Sequence, residues 1–222
     1  MSGIAFTARS ITDAAAVSTH CAILPVFVDD KLSSAARQLD KASGGVIKAA
    51  LELGDFNGKR GETLLLPGNA RVRRILLLGC GEPQSFDRKA MRNLCSKLSH
   101  ALKDTKAKDA ILHLAACKLK AADAKWFLSY LARHLTTASY RYTTTLSEPK
   151  PPGSLGKFTV ETGGTPSNAV AKVALQRGKL TGVGANEAHF LADLPGNICT
   201  PAYLASHARK LARRLDKLSV QV

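Results

Sequence analysis

Apolar and polar positions alternate between two periods along this chain, and the switching lays out its elements. Residues 4–8 and the continuous apolar run Cys21 to Val28 (CAILPVFV) read as strands, the second suited to a sheet covered on both faces. A helical pattern follows through Leu32, Ala35, Ala36 and Leu39. Gly44-Gly45 interrupts it before residues 46–53 resume, which predicts a broken helix pair. Residues 62–66 and 74–78 are the next strands, joined by the turn cluster Pro67-Gly68-Asn69 as a hairpin. Asp87 is placed to cap a helix whose apolar positions Met91, Leu94, Leu98 and Leu102 recur near the 3.6 period. Residues 109–115 predict a strand, and residues 121–135 a helix offering Trp126, Phe127, Tyr130 and Leu131 to the sheet. After the loop around Glu148 to Gly153, residues 157–161 form a short strand. This alternation predicts an α/β layered domain.

Thr165-Pro166 opens the longest helical pattern, with Val173, Leu180, Val183, Phe190 and Leu194 as its apolar positions. Gly178, Gly182 and Gly184 each weaken a helix interior by about 1 kcal/mol relative to alanine, so a helix that keeps them is expected to pack closely on a neighbour or to bend. Asp193, Pro195, Gly196 and Asn197 end it. Thr200 and Pro201 then supply an N-cap and first residue for another helix. That helix carries an apolar stripe, Leu204, Ala208, Leu211 and Leu215, and Leu218, Val220 and Val222 follow as one face of an opening strand. The arrangement predicts an N-terminal domain over residues 1–165, a linker helix over 166–193 and the start of a second domain over 194–222. The tail's apolar faces are expected to be left without a core of their own.

Composition changes this picture in one respect. The 222 residues are 45% hydrophobic, enough for a core without disulfide or metal support. No apolar run reaches the ~18 residues of a membrane span, and the N-terminus lacks the layout of a secretion signal, so the expected location is cytoplasmic with no membrane partner. The five cysteines, at 21, 80, 95, 117 and 199, are scattered without CxxC spacing and read as reduced, buried thiols. The abnormal quantity is a formal charge of +15. Residues 61–120 hold 12 basic against 5 acidic side chains, with Arg71, Arg73 and Arg74 before a strand and Lys97, Lys103, Lys106 and Lys108 around a helix end. With Lys59 and Arg60, these are the candidate contacts to double-stranded DNA. A solvated basic face is the alternative.

Candidate chemistry is sparse. Gly54 to Arg60 imitates a phosphate loop but is one residue short of GxxxxGK[ST] and has Arg where a hydroxyl is needed. Gly79-Cys80-Gly81 starts like a dinucleotide fingerprint, yet Gln84 replaces the third glycine; a tight turn or a small-molecule pocket at that strand end are the two readings. The six histidines show no metal-ligand spacing, and His113 reads as a satisfied core residue. Gly153-Ser154-Leu155-Gly156 lacks the spacing of a nucleophile elbow. The pair Asp29-Asp30 reads as helix N-terminal charge rather than an acid/base couple.

The run NEAHFLADLPGNICTPAYLASHARKLARRL, residues 186–215, resembles the interdomain junction of the leucyl aminopeptidases, the M17 family of two-metal exopeptidases. The segments CAILPVFVDDKLSSAARQLDKASGGVIKAALELGDFNGKRGETLLL and RRILLLGCGEPQSFD are similar to the N-terminal domain of bacterial members. The resemblance implies a three-layer α/β/α, macro-domain-like fold around a mixed sheet, followed by a long linker helix. It implies that the full-length enzyme is a hydrolase removing N-terminal residues, leucine preferentially, from peptides. Two divalent metals, manganese or zinc, would polarise the scissile carbonyl and activate water. They would be held by motifs resembling KGITFDTGG and NTDAEGR, which do not occur here. By the same resemblance no catalytic, cofactor or metal residue is expected among these 222, the chain alone is expected to be inactive, and the full-length enzyme is expected to be a homo-hexamer. Some bacterial members also bind DNA, which connects the resemblance to the basic excess. A macro-like nucleotide pocket near Gly79 to Gly81 is a further, weaker expectation.

Overall fold

The computed structural model describes residues 3–28, 31–149 and 153–221. Its centre is a six-stranded mixed sheet of β1 (Ala5–Ala8), β2 (Cys21–Phe27), β3 (Thr63–Pro67), β4 (Arg74–Gly81), β5 (Asp109–His113) and β6 (Lys157–Glu161), in the order β1-β6-β5-β2-β4-β3. Every pairing is parallel except β3 with β4, which form the expected hairpin. The hairpin closes through Asn69, whose side-chain oxygen accepts the N–H groups of Arg71 and Val72. Gly68 is required there because a Cβ would fall 1.8 Å from the Val72 carbonyl oxygen.

The strands show why β2 and β4 are apolar throughout. Side chains alternate across a sheet. On β2, Cys21, Ile23 and Phe27 enter one core while Ala22, Leu24 and Val26 enter the other; on β4, Leu76, Leu78 and Cys80 oppose Ile75 and Leu77 in the same way. One face is covered by α1 (Ser34–Ala42) and α2 (Val46–Glu52), which bury Ala36, Leu39 and Ile47. Gly44 and Gly45, both at positive φ, separate the two helices, and Asp40 caps α2 by accepting the Ile47 and Lys48 N–H groups. The N-cap of α1 is Ser33; the Asp29-Asp30 pair lies outside the described residues.

The other face is covered by α3 (Arg88–Asp104), α4 (Ala121–Ala138) and α5 (Asn168–Asp193). Asp87 caps α3 by accepting from the Ala90 N–H, and this bond holds its carboxyl below the usual carboxylate range. Phe127 and Leu131 of α4 are buried as expected, whereas Trp126 and Tyr130 are half-buried, with Arg88 over the Trp126 ring and Arg133 over the Tyr130 ring.

The longest helix departs from its expected face. It begins at Asn168, capped by Ser167 rather than by Thr165-Pro166. Its buried residues are Ala171, Ala174, Leu175, Gly178 and Gly182, while Val173, Leu180 and Val183 are exposed. The reason is steric. α5 lies so close to α4 that only small side chains fit between them, so the large apolar residues fall on the far side. The expectation of close packing holds for Gly178 and Gly182, whereas Gly184 faces open space.

Thr200 caps α6 (Pro201–Arg214) through the Tyr203 N–H, as expected. This helix buries none of its residues, and Leu204 and Leu215 are 45% and 49% exposed. Its polar tie to the rest is His207 on Glu187 at 2.8 Å. The expected strand after it is not formed: residues 216–221 are turn and irregular chain, since a lone strand with no pairing partner leaves its N–H and C=O groups unbonded. Val222 lies outside the described residues. Four of the cysteines, 21, 80, 95 and 117, are buried, Cys199 is half-buried, and all are free; burial pushes the Cys21 thiol up to about 12.

Asp109 ties together the opening residues of β2 and β5. Its carboxyl accepts from Thr19 Oγ1 at 2.6 Å and from the His20 N–H, and it pairs with His20 Nδ1. Burial pushes this carboxyl up, but the bonds from Thr19 and His20 outweigh burial and hold it below the usual carboxylate range. A depressed folded-state value means the stabilisation is complete above the unfolded value of about 3.9 and is lost as pH falls through the folded one. Asp109→Asn should therefore lower stability by about 1–2 kcal/mol at neutral pH. The deficit should shrink below about pH 4, as read by urea unfolding across pH. A deficit independent of pH would contradict this role.

Candidate functional site

The glycine-rich segments are structural. In the 54–60 loop, Asn57 and Lys59 donate their N–H groups to Glu62 Oε2, so donors that would cradle a phosphate are already bound to a carboxylate of the chain itself. Gly58 sits at positive φ, and a Cβ there would meet the Phe27 backbone at 2.8 Å. Gly79 admits the same loop: a Cβ on it would lie 1.9 Å from the Lys59 carbonyl oxygen. The Gly79 N–H donates to Glu62 O and the Gly81 N–H to Gly58 O. The expected pocket near Gly79 to Gly81 is therefore filled at Gly79 by chain. The Ser154 hydroxyl of the 153–156 loop donates to Ala107 O, a bond that ties the loop to the segment before β5.

A cleft of about 470 Å³ opens elsewhere, at the carboxyl ends of β2, β5 and β6. Pro25, Val26 and Phe27 form part of its wall, and the start of α1 with the 11–12 segment closes another side. His113 and Glu161, the last residues of β5 and β6, are set side by side by the parallel register and lie in its lining. They are 3% and 6% exposed. His113 Nδ1 stands 3.8 Å from Glu161 Oε2, beyond hydrogen-bond distance. Glu161 Oε1 accepts the Gly163 N–H at 2.5 Å. The sequence pattern implies a satisfied His113. The structure buries His113 and sets it at ion-pair distance from Glu161, while nothing in a five-residue strand reveals what its neighbour in the sheet will be.

The nine candidate DNA contacts fall into two groups. Arg71, Arg73 and Arg74 lie at the amino end of β4, held there by the bonds of Arg71 O and the Arg73 N–H to Thr19. α3 runs back from the carboxyl end of β4, so its last turn and the following loop bring Lys103, Lys106 and Lys108 to that same end. All of these are exposed except the half-buried Arg74. Lys59 and Arg60 sit at the opposite end of β4, beside Gly79 and Gly81, and the Lys97 side chain approaches Gly61 next to them. Arg60 is spoken for by Ser85, donating to its carbonyl and hydroxyl oxygens. Near the first group, burial and the charges of Arg133, His100 and Lys103 push the His134 ring below its ordinary value.

Among the described residues, no group of three or more His, Cys, Asp or Glu side chains could hold a metal ion. The described residues thus do not fit a two-metal centre, and no catalytic step is derived through one. No helix among the described residues is long and apolar enough to cross a membrane.

A mixed, helix-covered sheet of this order defines the class: an α/β/α domain with a cleft at the carboxyl edge of its sheet. Residues 23–149 match the model of the cytosol aminopeptidase family, N-terminal domain, and the chain belongs to that family. It is 38% identical over 208 residues to a probable cytosol aminopeptidase of Alkalilimnicola ehrlichii, covering 92% of this chain and 42% of that protein. It is 35% identical over 213 residues to a probable cytosol aminopeptidase of Halorhodospira halophila, covering 95% and 43%. The chain thus spans about two fifths of the length of these relatives. Among solved structures, a tomato leucine aminopeptidase variant superposes with a TM-score of 0.78 at 22% identity over 95% of this chain and 42% of that one. The bottromycin maturation enzyme BotP in complex with Mn superposes at 0.62 and 18% identity, covering 89% and 37%. These two likenesses show the fold.

Proposed function

We propose that this chain acts as the non-catalytic N-terminal domain of a leucyl aminopeptidase, a two-metal exopeptidase that releases N-terminal residues, preferably leucine, from peptides in the cytoplasm. The observation that carries this reading is the match of residues 23–149 to the N-terminal domain of the family. The α6 stripe supports it, because Leu204 and Leu215 form an apolar surface suited to a catalytic domain packed against it. Manganese or zinc would belong to that catalytic domain, in keeping with the manganese of BotP. The role assigned to these residues is to shape assembly, as a homo-hexamer, and access to the peptide site. The chain incubated with leucine p-nitroanilide and manganese should release no nitroaniline above the buffer rate. Hydrolysis that persists through repurification and is removed by a chelator would overturn the proposal.

A second reading, a double-stranded DNA contact, rests on the convergence of Arg71, Arg73, Arg74, Lys103, Lys106 and Lys108 at one end of the sheet. It predicts duplex affinity that falls with salt at a log–log slope of about −0.9 per phosphate neutralised. Replacing Arg71, Arg73 and Arg74 by alanine should make the slope shallower by roughly 0.9 for each phosphate no longer neutralised. A flat salt response in fluorescence anisotropy, or a slope unchanged by the triple substitution, contradicts it.

A further inference from the structure

We infer that the cleft at the carboxyl ends of β2, β5 and β6 binds a small organic anion that also carries a nitrogen hydrogen-bond donor. In this assignment the donor rests on Glu161, and the anionic group lies against Arg37, Lys118 and the first turn of α1. The position is the one where open α/β sheets admit ligands, outside the carboxyl ends of parallel strands, and about 470 Å³ lies within the range of small-molecule pockets.

The buried pair is the decisive feature. The polar atoms of this pair that make no hydrogen bond open onto the cleft and are not sealed in the core, so they are available to a ligand there. His113 and Glu161 are both more than nine-tenths buried and face the cleft, yet their nearest polar atoms stand 3.8 Å apart. Glu161 Oε1 is used by the Gly163 N–H, while Oε2 has only the distant His113 Nδ1. Neither group finds its partner in the other. A ligand donor placed on Oε2, beside the His113 ring, uses an acceptor that opens onto the cleft. Around this buried acid the cleft is lined by the cations Lys31, Arg37 and Lys118, with Arg37 Nη1 also donating to the Leu32 carbonyl oxygen. The first-turn N–H groups of α1 favour negative charge on the same side. Val26, Phe27 and Leu32 give the lining an apolar wall. A buried acceptor, an apolar wall and a basic rim together select a molecule with a donor at one end and a carboxylate or phosphate at the other.

Two sources share that chemistry, a free amino acid and a nucleoside monophosphate. The inference does not depend on the aminopeptidase reading, and its test uses binding alone. Isothermal titration of the chain with leucine, with AMP and with inorganic phosphate separates the cases. Saturable binding of leucine or AMP, weakened about tenfold or more by Glu161→Gln and by Arg37→Glu with Lys118→Glu, supports the site. The ligand that binds identifies the source. Glutamine retains a carbonyl oxygen for the Gly163 N–H, and the two rim residues lie at the surface, so an unchanged thermal midpoint separates lost binding from lost folding. Silence of both organic ligands at millimolar concentration overturns the inference. So does affinity indifferent to these substitutions, or inorganic phosphate binding as well as either ligand.

Discussion

Replacing Gly178 by alanine should destabilise the protein by about 3 kcal/mol or more, although the same change in an exposed helix would stabilise it by about 1 kcal/mol. The two outcomes are decided by distance. A Cβ at Gly178 would lie 2.0 Å from the Ser129 carbonyl oxygen and 2.8 Å from its carbon. Both are backbone atoms of α4 and cannot move aside as a side chain can. One turn further, a Cβ at Gly182 would meet Thr136 Cβ at 2.7 Å and the Arg133 carbonyl oxygen at 2.9 Å. Either substitution forces α5 away from α4 and opens the core around Ala171, Ala174 and Leu175. Gly184 provides the internal control, since no atom lies within 4 Å of its Cβ position. Gly184→Ala should raise stability by about 0.5–1 kcal/mol. Urea unfolding of the variants measures all three, and equal effects at 178 and 184 would contradict the described approach of the two helices.

Truncation of Phe158 to alanine should cost about 3–5 kcal/mol. Phe158 lies in β6 with 0% exposure, tilted against Phe6 of β1 at 6.1 Å between ring centroids, inside the core beneath α3, α4 and α5. Its loss leaves a cavity between two strands whose parallel pairing restricts collapse. Phe158→Leu should cost less, about 1–2 kcal/mol, because most of the volume is retained. The sheet separates this core from the one containing Leu39 of α1, which is also fully buried. Phe158→Ala and Leu39→Ala should therefore add to within about 0.5 kcal/mol. A larger coupling, measured by a double-mutant cycle in denaturant, would mean the two cores respond as one.

The elements that local chemistry specifies were legible in the sequence. Asp87 and Thr200 cap their helices through the expected backbone N–H groups, Gly44-Gly45 breaks the first helix pair, and Pro67 to Asn69 turns the β3–β4 hairpin. The apolar run in β2 correctly signals a strand covered on both faces, because alternation places its odd and even residues in different cores. The resemblance to the aminopeptidase N-terminal domain is matched by the family to which residues 23–149 belong.

What the sequence hides depends on distances between segments. Val173, Leu180 and Val183 look like the buried face of α5, yet a helix approaching through glycine and alanine reverses the usual rule that the largest apolar side chains lie inside. Leu218 and Val220 alternate like a strand, but a strand forms only where another edge accepts its hydrogen bonds. The glycines of 54–61 and 79–81 resemble ligand loops because tight turns and phosphate cradles need the same backbone freedom. Only the packed structure shows that Glu62 and the Lys59 carbonyl occupy the space. The pairing of His113 with Glu161 is set by strand register across 48 residues of sequence, which no local spacing reveals.

In this fold α6 stands outside the core that β1 to β6 and α1 to α5 build among themselves, and native-state amide hydrogen exchange tests that separation directly. Residues 204–214 should exchange through openings of about 0–2 kcal/mol, whereas the amides of β2, β4 and β5 should be protected to the level of global unfolding. Protection of α6 equal to that of β2 would contradict the separation, because it would place the Leu204, Leu211 and Leu215 stripe inside a core that this chain completes on its own.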